Sequence, residues 1–231
     1  MAILNTDPKI LILAFLGGIV PSLLWLWFWL KEEEQPESKG LLAIIFIMGM
    51  IAVAVVLPIQ KFIQLRISSS TAQTILWASA EELMKYLAVL VVVYRTRDAT
   101  EPIDWPIYLI TAALGFAALE NTLFLIQPFS INQATVGLLT SQLRFLGSTL
   151  LHTVSSGIVG IAIGLSFFLK EWKKDWFLLI GFLFAIALHS SFNFFIIRNG
   201  GKDFLVVFAF LWVVTIIILL LFEKVRRMSE H

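Results

Sequence analysis

Three ionisable residues lie inside the apolar stretch LWASAEELMKYLAVLVVVYR, at residues 76–95. They are Glu81, Glu82 and Lys85, and each charge costs about 2.5–3.5 kcal/mol in hydrocarbon even on lenient membrane-insertion scales. On a helix Lys85 can pair with either glutamate, because it follows them by four and three positions. The two carboxylates cannot point at the same spot, so one can pair with the lysine while the other serves as a general base.

Further polar side chains interrupt three later apolar stretches. Glu120 and Asn121 lie in GFAALENTLF, His152 begins HTVSSG, and HSSFN begins at His189 and ends at Asn193. Two neutral imidazoles and one carboxylate are a normal ligand set for catalytic zinc, with a fourth position open for water. The chain has no cysteine, so thiolate ligands and thiolate nucleophiles are excluded. If a metal is bound, His152, His189 and Glu120 are the expected ligands, and zinc is the expected metal.

The charge of this set is compatible with two states. The three glutamates and Lys85 carry a net charge of −2 when all are ionised and both histidines are neutral. An isolated charge of this size is not tolerated in hydrocarbon. Either carboxylates take up protons or a divalent cation occupies the site, and the sequence does not choose between the two.

Membrane-spanning helices must position these residues. The chain of 231 residues is 59% hydrophobic and 14% charged, which is far too apolar for a soluble domain of this length. A span needs about 20 mostly apolar residues, and seven stretches qualify: 9–30, 41–60, 72–94, 107–126, 137–169, 177–197 and 204–222. The fifth fits either a tilted span or a short interfacial helix at 134–146 leading into one.

The predicted fold is therefore an all-α bundle of about seven transmembrane helices. The connections are short and polar, and none has room for a soluble domain. We expect one integral membrane domain over residues 1–231, with a motif-bearing core at about 75–197 and peripheral spans at 9–60 and 204–222. The net charge of +1 gives no indication of a nucleic-acid partner.

Basic residues predict the orientation. The loops after spans 1, 3 and 5 and the C-terminal tail hold ten Lys and Arg residues, whereas the opposite side holds six. The richer side is expected in the cytoplasm, with the N-terminus outside and the C-terminus inside. At about 1.5 Å per residue, Glu82, Glu120, His152 and His189 then lie roughly 20–27 Å from the cytoplasmic boundary, whereas Arg144 is expected at the membrane interface.

The ordered set of motifs EELMK, FAALEN, HTVSSG and HSSFN, on four successive predicted spans, resembles the PrsW family of intramembrane proteases. That family is similar to the CAAX prenyl endopeptidases and the bacteriocin-immunity membrane proteins. The resemblance implies an α-helical endopeptidase of the bacterial cell membrane, usually metal-dependent, whose members cleave membrane-anchored regulators such as anti-sigma factors. It matches Glu81 and Glu82 to the paired glutamates of the family, His152 and His189 to its two histidines, and Asn193 to its asparagine.

For amide hydrolysis, Glu81 is the expected general base, with His152 and His189 binding the metal or else orienting water directly. Asn193 would donate to the oxyanion. Glu120 and Asn121 stand where the CAAX-type relatives have a histidine. The expected catalytic residues are Glu81, Glu82, His152 and His189, and the expected supporting residues are Lys85, Glu120, Asn121 and Asn193.

Less specific interpretations stay open. Glu81 and Lys85 can form a structural ion pair, a buried histidine is often only a core residue, and asparagines can join helices. A proton-coupled transporter also places carboxylates and histidines at mid-depth, but such proteins tend to have repeated halves and interrupted helices. The chain shows no repeat, and predicted spans 3, 4 and 6 contain no proline. A non-catalytic immunity or scaffold protein is the remaining alternative.

Overall fold

A computed structural model describes residues 7–31, 37–130, 143–198 and 204–229. These ranges contain seven long helices and no strand. The helices are α1 (Pro8–Leu30), α2 (Lys39–Arg66), α3 (Ser70–Thr96), α4 (Asp104–Ser130), α5 (Leu150–Ser166), α6 (Glu171–Arg198) and α7 (Phe204–Ser229). The predicted all-α membrane bundle is thus confirmed.

Local sequence signals define several helix ends. Asp7, Ser38 and Ser69 cap α1, α2 and α3, each side chain accepting a hydrogen bond from a backbone N–H of the first turn. Pro8 occupies the first turn of α1, where a missing N–H costs nothing. Helix α3 ends at Arg97, which has the left-handed φ of 60° that often terminates helices.

Six helical segments are long and apolar enough to cross a membrane, namely α1, α2, α4, α6, α7 and the segment Phe145–Ser166 that contains α5; among the described helices α3 is the exception. It is 27 residues long, which is sufficient for a span. Its interior, however, carries Glu81, Glu82 and Lys85, and all three are buried. The charged face of α3 is therefore turned into the bundle, whereas apolar residues such as Leu83 and Val91 on its other faces are exposed.

Helix α4 lies at the centre of the bundle and contacts α1, α2, α3 and α5. Its approach to α2 depends on two glycines. A Cβ atom on Gly49 would lie 2.0 Å from the carbonyl oxygen of Ala112, and one on Gly115 would lie 1.9 Å from that of Phe46. Small residues allow this close packing of membrane helices, which brings α2 and α4 together beside α3.

A π-helical turn, Phe145–Thr149, leads into α5. Trp25 of α1 donates from Nε1 to the carbonyl oxygen of Phe145 at 3.2 Å. The first part of the predicted fifth span, and most of the interfacial helix expected at 134–146, lie outside the described residues. π-Turns are rare and often occur at functional sites, and this one directly precedes His152.

Candidate active site

Glu82 is held by polar partners on every side. Lys85 Nζ and His189 Nδ1 each lie 2.7 Å from its Oε1, and Ser156 Oγ donates to Oε2 at 2.7 Å. Ser155 Oγ lies 2.9 Å from Oε1. The side chain is completely buried, so Glu82 joins α3, α5 and α6 through charge-assisted hydrogen bonds.

Glu81 has different surroundings from its neighbour. Its Oε1 accepts a hydrogen bond from Gln60 Nε2 of α2 at 2.7 Å. Its Oε2 is buried and has no hydrogen-bond partner among the described residues. That oxygen lies 3.4 Å from His189 Nε2 and 3.9 Å from His152 Nδ1. A buried carboxylate oxygen without a donor is costly, which indicates that this atom faces a ligand or a water.

The two histidines belong to different helices and contact each other edge to face, with ring centroids 5.0 Å apart. His189 donates from Nδ1 to the Glu82 carboxylate, so its Nε2 presents a lone pair toward Glu81. His152 Nδ1 lies 2.9 Å from Lys85 Nζ. Because an ammonium group only donates, Nδ1 of His152 is the acceptor and its Nε2 carries the hydrogen.

Glu120 binds the opposite side of His152. Its Oε2 lies 3.1 Å from His152 Nε2 and 2.6 Å from Nη2 of Arg144. Asn121 accepts from Arg144 Nε and donates to Thr149 Oγ1 at 2.8 Å. Arg144, which is expected at the membrane interface, is paired with Glu120. The guanidinium group reduces the net charge of the cluster from −2 to −1 when its glutamates are ionised and its histidines neutral.

The described residues contain one group that could hold a metal: Glu81, His152 and His189, each offering a ligand atom, all within 4.8 Å of one another. Two ligands of a tetrahedral zinc lie about 3.4 Å apart when each is about 2.1 Å from the metal. The 3.4 Å from Glu81 Oε2 to His189 Nε2 fits this geometry. Nδ1 of His152 can serve as a metal ligand when Lys85 Nζ, which lies 2.9 Å from it, donates to Glu82 and not to this nitrogen.

The carboxylate of this group differs from the one expected. The sequence predicts Glu120 as the ligand beside the two histidines, whereas the structure groups Glu81 with them. The physical reason is Arg144, which holds Glu120 on the far side of the His152 ring. A histidine that donates to a carboxylate while its other nitrogen faces a metal is a common arrangement in metal sites.

A cavity of about 760 Å³ opens onto this cluster. Most of its lining is apolar or aromatic, and the polar atoms come from few side chains. At about 1.5 Å per residue, Glu81, Glu120 and His189 lie roughly 14–17 Å from the nearer ends of α3, α4 and α6. The polar lining residues are Gln60, Trp77, Glu81, Glu120, Arg144, Ser148, His152, His189 and Asn193. The cavity can therefore hold an apolar chain against a small set of reactive groups.

Sequence reasoning overlooked several contributors to this site. Gln60, Ser155 and Ser156 contact the paired glutamates, and Trp77 Nε1 donates to the carbonyl oxygen of Gln60. Serines and glutamines are common enough that no local signal singles them out. Arg144 did carry a signal, because an arginine eight positions before His152 lies two helical turns away, on a similar side.

Comparison with known proteins gives concordant matches. The family model described as "PrsW family intramembrane metalloprotease" matches residues 37–221. A protein named "Protease PrsW" from Geobacillus kaustophilus is 29% identical over 181 residues, covering 77% of this chain and 76% of the relative. Its namesake from Shouchella clausii is 27% identical over 219 residues, covering 93% and 96%. The one from Bacillus subtilis is 25% identical over 202 residues, covering 85% and 89%. No solved structure matches the chain significantly.

Proposed function

Because this chain belongs to the PrsW family of intramembrane metalloproteases, we propose that its peptide-bond hydrolysis takes place at Glu81, His152 and His189. The family membership makes the protein a membrane-embedded endopeptidase. The observation that supports this location is Oε2 of Glu81, which has no hydrogen-bond partner among the described residues and faces both imidazoles, in a residue that lines the cavity. Serving as general base, Glu81 takes the proton of the attacking water at Oε2.

We assign the protein nitrogen ligands of the metal to His152 and His189. Zinc is the proposed metal, because the site offers imidazole nitrogens and carboxylate oxygens and the chain contains no thiolate. When bound, zinc supplies Lewis acidity toward water and the scissile carbonyl. Glu82 and Glu120 orient the two imidazoles through Nδ1 of His189 and Nε2 of His152.

The remaining polar residues position the reaction. Lys85 holds Glu82 in the buried anionic form that accepts from His189. Asn193 lies one turn beyond His189 on α6 and lines the cavity. Its amide is our candidate donor to the oxyanion that develops on the scissile carbonyl. Asn121 supports Glu120 indirectly, through Arg144.

The substrate we propose is a membrane-anchored protein, such as an anti-sigma-factor-like regulator in a bacterial plasma membrane. The apolar and aromatic walls of the cavity favour a hydrophobic segment around the scissile bond. We propose that the whole chain is one membrane domain, with its N-terminus outside and its C-terminus in the cytoplasm.

Single substitutions test the proposal on protein reconstituted with a membrane-anchored reporter substrate. Glu81→Gln should lower the cleavage rate by about 10²- to 10⁴-fold, because an amide cannot accept the proton of water. Zinc affinity should fall less than in either histidine variant, since both imidazole ligands remain. His152→Ala and His189→Ala should each abolish both stoichiometric zinc binding and cleavage.

Glu171→Gln is the matched control, because this carboxylate is 86% exposed at the start of α6. It should cleave at the wild-type rate. Full cleavage by the Glu81 and both histidine variants would contradict the proposal. Cleavage by a protein stripped of metal would contradict the zinc assignment and leave Glu81 as the base.

A further inference from the structure

Arg144 makes more polar contacts than an interfacial arginine requires. Its Nη2 lies 2.6 Å from Glu120 Oε2 and 3.1 Å from Ser148 Oγ, while its Nε donates to Asn121. The guanidinium carbon lies 4.0 Å from the ring centroid of Phe124. The carboxylate, the amide and the aromatic ring together define one position for this side chain. A planar guanidinium group can meet all three partners, whereas the ammonium group of a lysine would fit them less well.

The contact with Glu120 extends to His152. The same oxygen of Glu120 that binds Arg144 lies 3.1 Å from Nε2 of His152. Since a carboxylate only accepts, the hydrogen of the imidazole is kept on Nε2. Nδ1, which lies 3.9 Å from Glu81 Oε2, then keeps the lone pair that it presents to Lys85 Nζ at 2.9 Å.

The π-turn sets the place of Arg144. Arg144 directly precedes this turn, Phe145–Thr149, and His152 follows it by one helical turn. Trp25 Nε1 binds the Phe145 carbonyl, and Asn121 binds the Thr149 hydroxyl. Two neighbouring helices, α1 and α4, therefore hold the segment that carries both Arg144 and His152.

We propose that Arg144 is a positioning residue that holds Glu120 against Nε2 of His152 and so keeps the lone pair on Nδ1, which binds the metal when Lys85 directs its bond to Glu82. The inference rests on the proposed function, because it assumes that His152 binds the metal. Among the described residues, Arg144 makes no hydrogen bond to Glu81 or His189. Its effect on the metal site therefore passes through Glu120.

The test measures zinc affinity of detergent-purified, full-length protein by competition with a chromophoric chelator. Arg144→Ala should weaken zinc binding by about 10- to 100-fold, the usual effect of removing an outer partner of a metal ligand. Glu120→Ala should weaken it at least as much. In the Arg144→Ala/Glu120→Ala double variant, the loss should match that of Glu120→Ala within about twofold, because Arg144 acts through that carboxylate.

A merely structural role of Arg144 would give a different pattern, in which the two losses multiply in the double variant, and that result would overturn the inference. Wild-type zinc affinity in Arg144→Ala would overturn it too. Should Arg144→Ala fail to fold, Glu120→Ala alone decides: wild-type zinc affinity in that variant would remove the intermediary and overturn the inference, whereas a loss of 10-fold or more would support it.

Arg66→Ala is the matched control, because Arg66 also lies over a phenylalanine ring, Phe62, but is exposed and far from Glu120 along the chain. Its zinc affinity should equal that of the wild type. A wild-type protein that binds no zinc would overturn the metal assignment together with this inference. If the wild type binds zinc and Arg144→Ala binds it equally tightly, this inference alone is overturned and the metal assignment stands.

Discussion

Glu81 and Glu82 are adjacent in the chain, yet their carboxylates are suited to different tasks. Glu82 accepts from Lys85, His189 and Ser155 at Oε1 and from Ser156 at Oε2, so both of its oxygens are engaged in holding the helices together. Glu81 has one oxygen bound to Gln60 and one without a partner. A helical rotation of about 100° between neighbours points one carboxylate into the bundle and the other toward the cavity.

The buried Glu82–Lys85 pair should be more important for stability than a surface pair of the same spacing. We expect Lys85→Met to lower stability by about 3–5 kcal/mol, because it leaves the Glu82 charge buried without its cation. Glu171 and Lys174 form an exposed pair with the same three-residue separation, 2.8 Å apart, so Lys174→Met should cost less than about 1 kcal/mol. Thermal unfolding in detergent compares the two variants. Equal shifts in Tm would contradict the prediction.

Asn193 gives a second prediction at this scale. If its amide donates to the oxyanion, Asn193→Ala should lower kcat by about 10²- to 10³-fold, because that bond strengthens only in the transition state. Zinc affinity and KM should remain close to wild type. Single-turnover cleavage together with a zinc titration measures both properties. A variant with higher KM and unchanged kcat would show instead that Asn193 only binds substrate.

The helices reach the site through close backbone contacts. Gly49 of α2 and Gly115 of α4 let the two backbones meet at carbonyl oxygens of the opposite helix. This contact positions Gln60 of α2 near Glu81 of α3, and Glu120 of α4 near His152 of α5. Packing at the centre of α4 therefore determines the geometry of residues several turns away.

Gly49→Ala should lower stability by about 1–3 kcal/mol, because the new methyl group would lie 2.0 Å from the Ala112 carbonyl oxygen and the helices must separate. Gly40→Ala on the same helix is the control, since a Cβ there meets no atom within 4 Å. Thermal unfolding and cleavage rates of both variants test this. An unfolding temperature in Gly49→Ala equal to that of Gly40→Ala would show that α2 and α4 are not in close contact.

At the scale of the whole molecule, the arrangement separates three environments. Apolar side chains on the outer faces of the helices are widely exposed, as lipid contact requires. The ion pairs of α3 are enclosed by α4, α5 and α6, and the cavity leads to the unpartnered oxygen of Glu81. Reactive groups are thus kept away from lipid while one face remains accessible to a substrate.

The absence of cysteine makes the orientation directly measurable. Ser68 is exposed in the connection between α2 and α3, and Lys173 is exposed in the first turn of α6, at the opposite end of the helices. With the N-terminus outside, Ser68→Cys should react with a membrane-impermeant maleimide on intact cells. Lys173→Cys should react only after permeabilisation. The opposite labelling pattern would invert the orientation inferred from the basic residues.

Local properties of the chain predicted the helices and the membrane character. Apolar stretches of about 20 residues need no knowledge of distant contacts, and all seven predicted stretches contain helix in the described part of the chain. The ionisable residues inside these stretches were equally visible, because charge in hydrocarbon is costly wherever the partner lies. The sequence also contained the ordered motifs that indicated the PrsW family, which the family match confirms.

The pairing of these residues depended on tertiary structure. By its spacing in α3, Lys85 can pair with either Glu81 or Glu82. In the structure it pairs with Glu82, because α5 and α6 pack around that carboxylate. Glu120 was expected among the metal ligands. Arg144, which follows Glu120 by 24 positions in the chain, holds it on the other side of His152. Spacing specifies contacts within one helix, whereas contacts between helices depend on crossing angles and glycine-mediated approach. For that reason the candidate residues were foreseeable, and their partners were not.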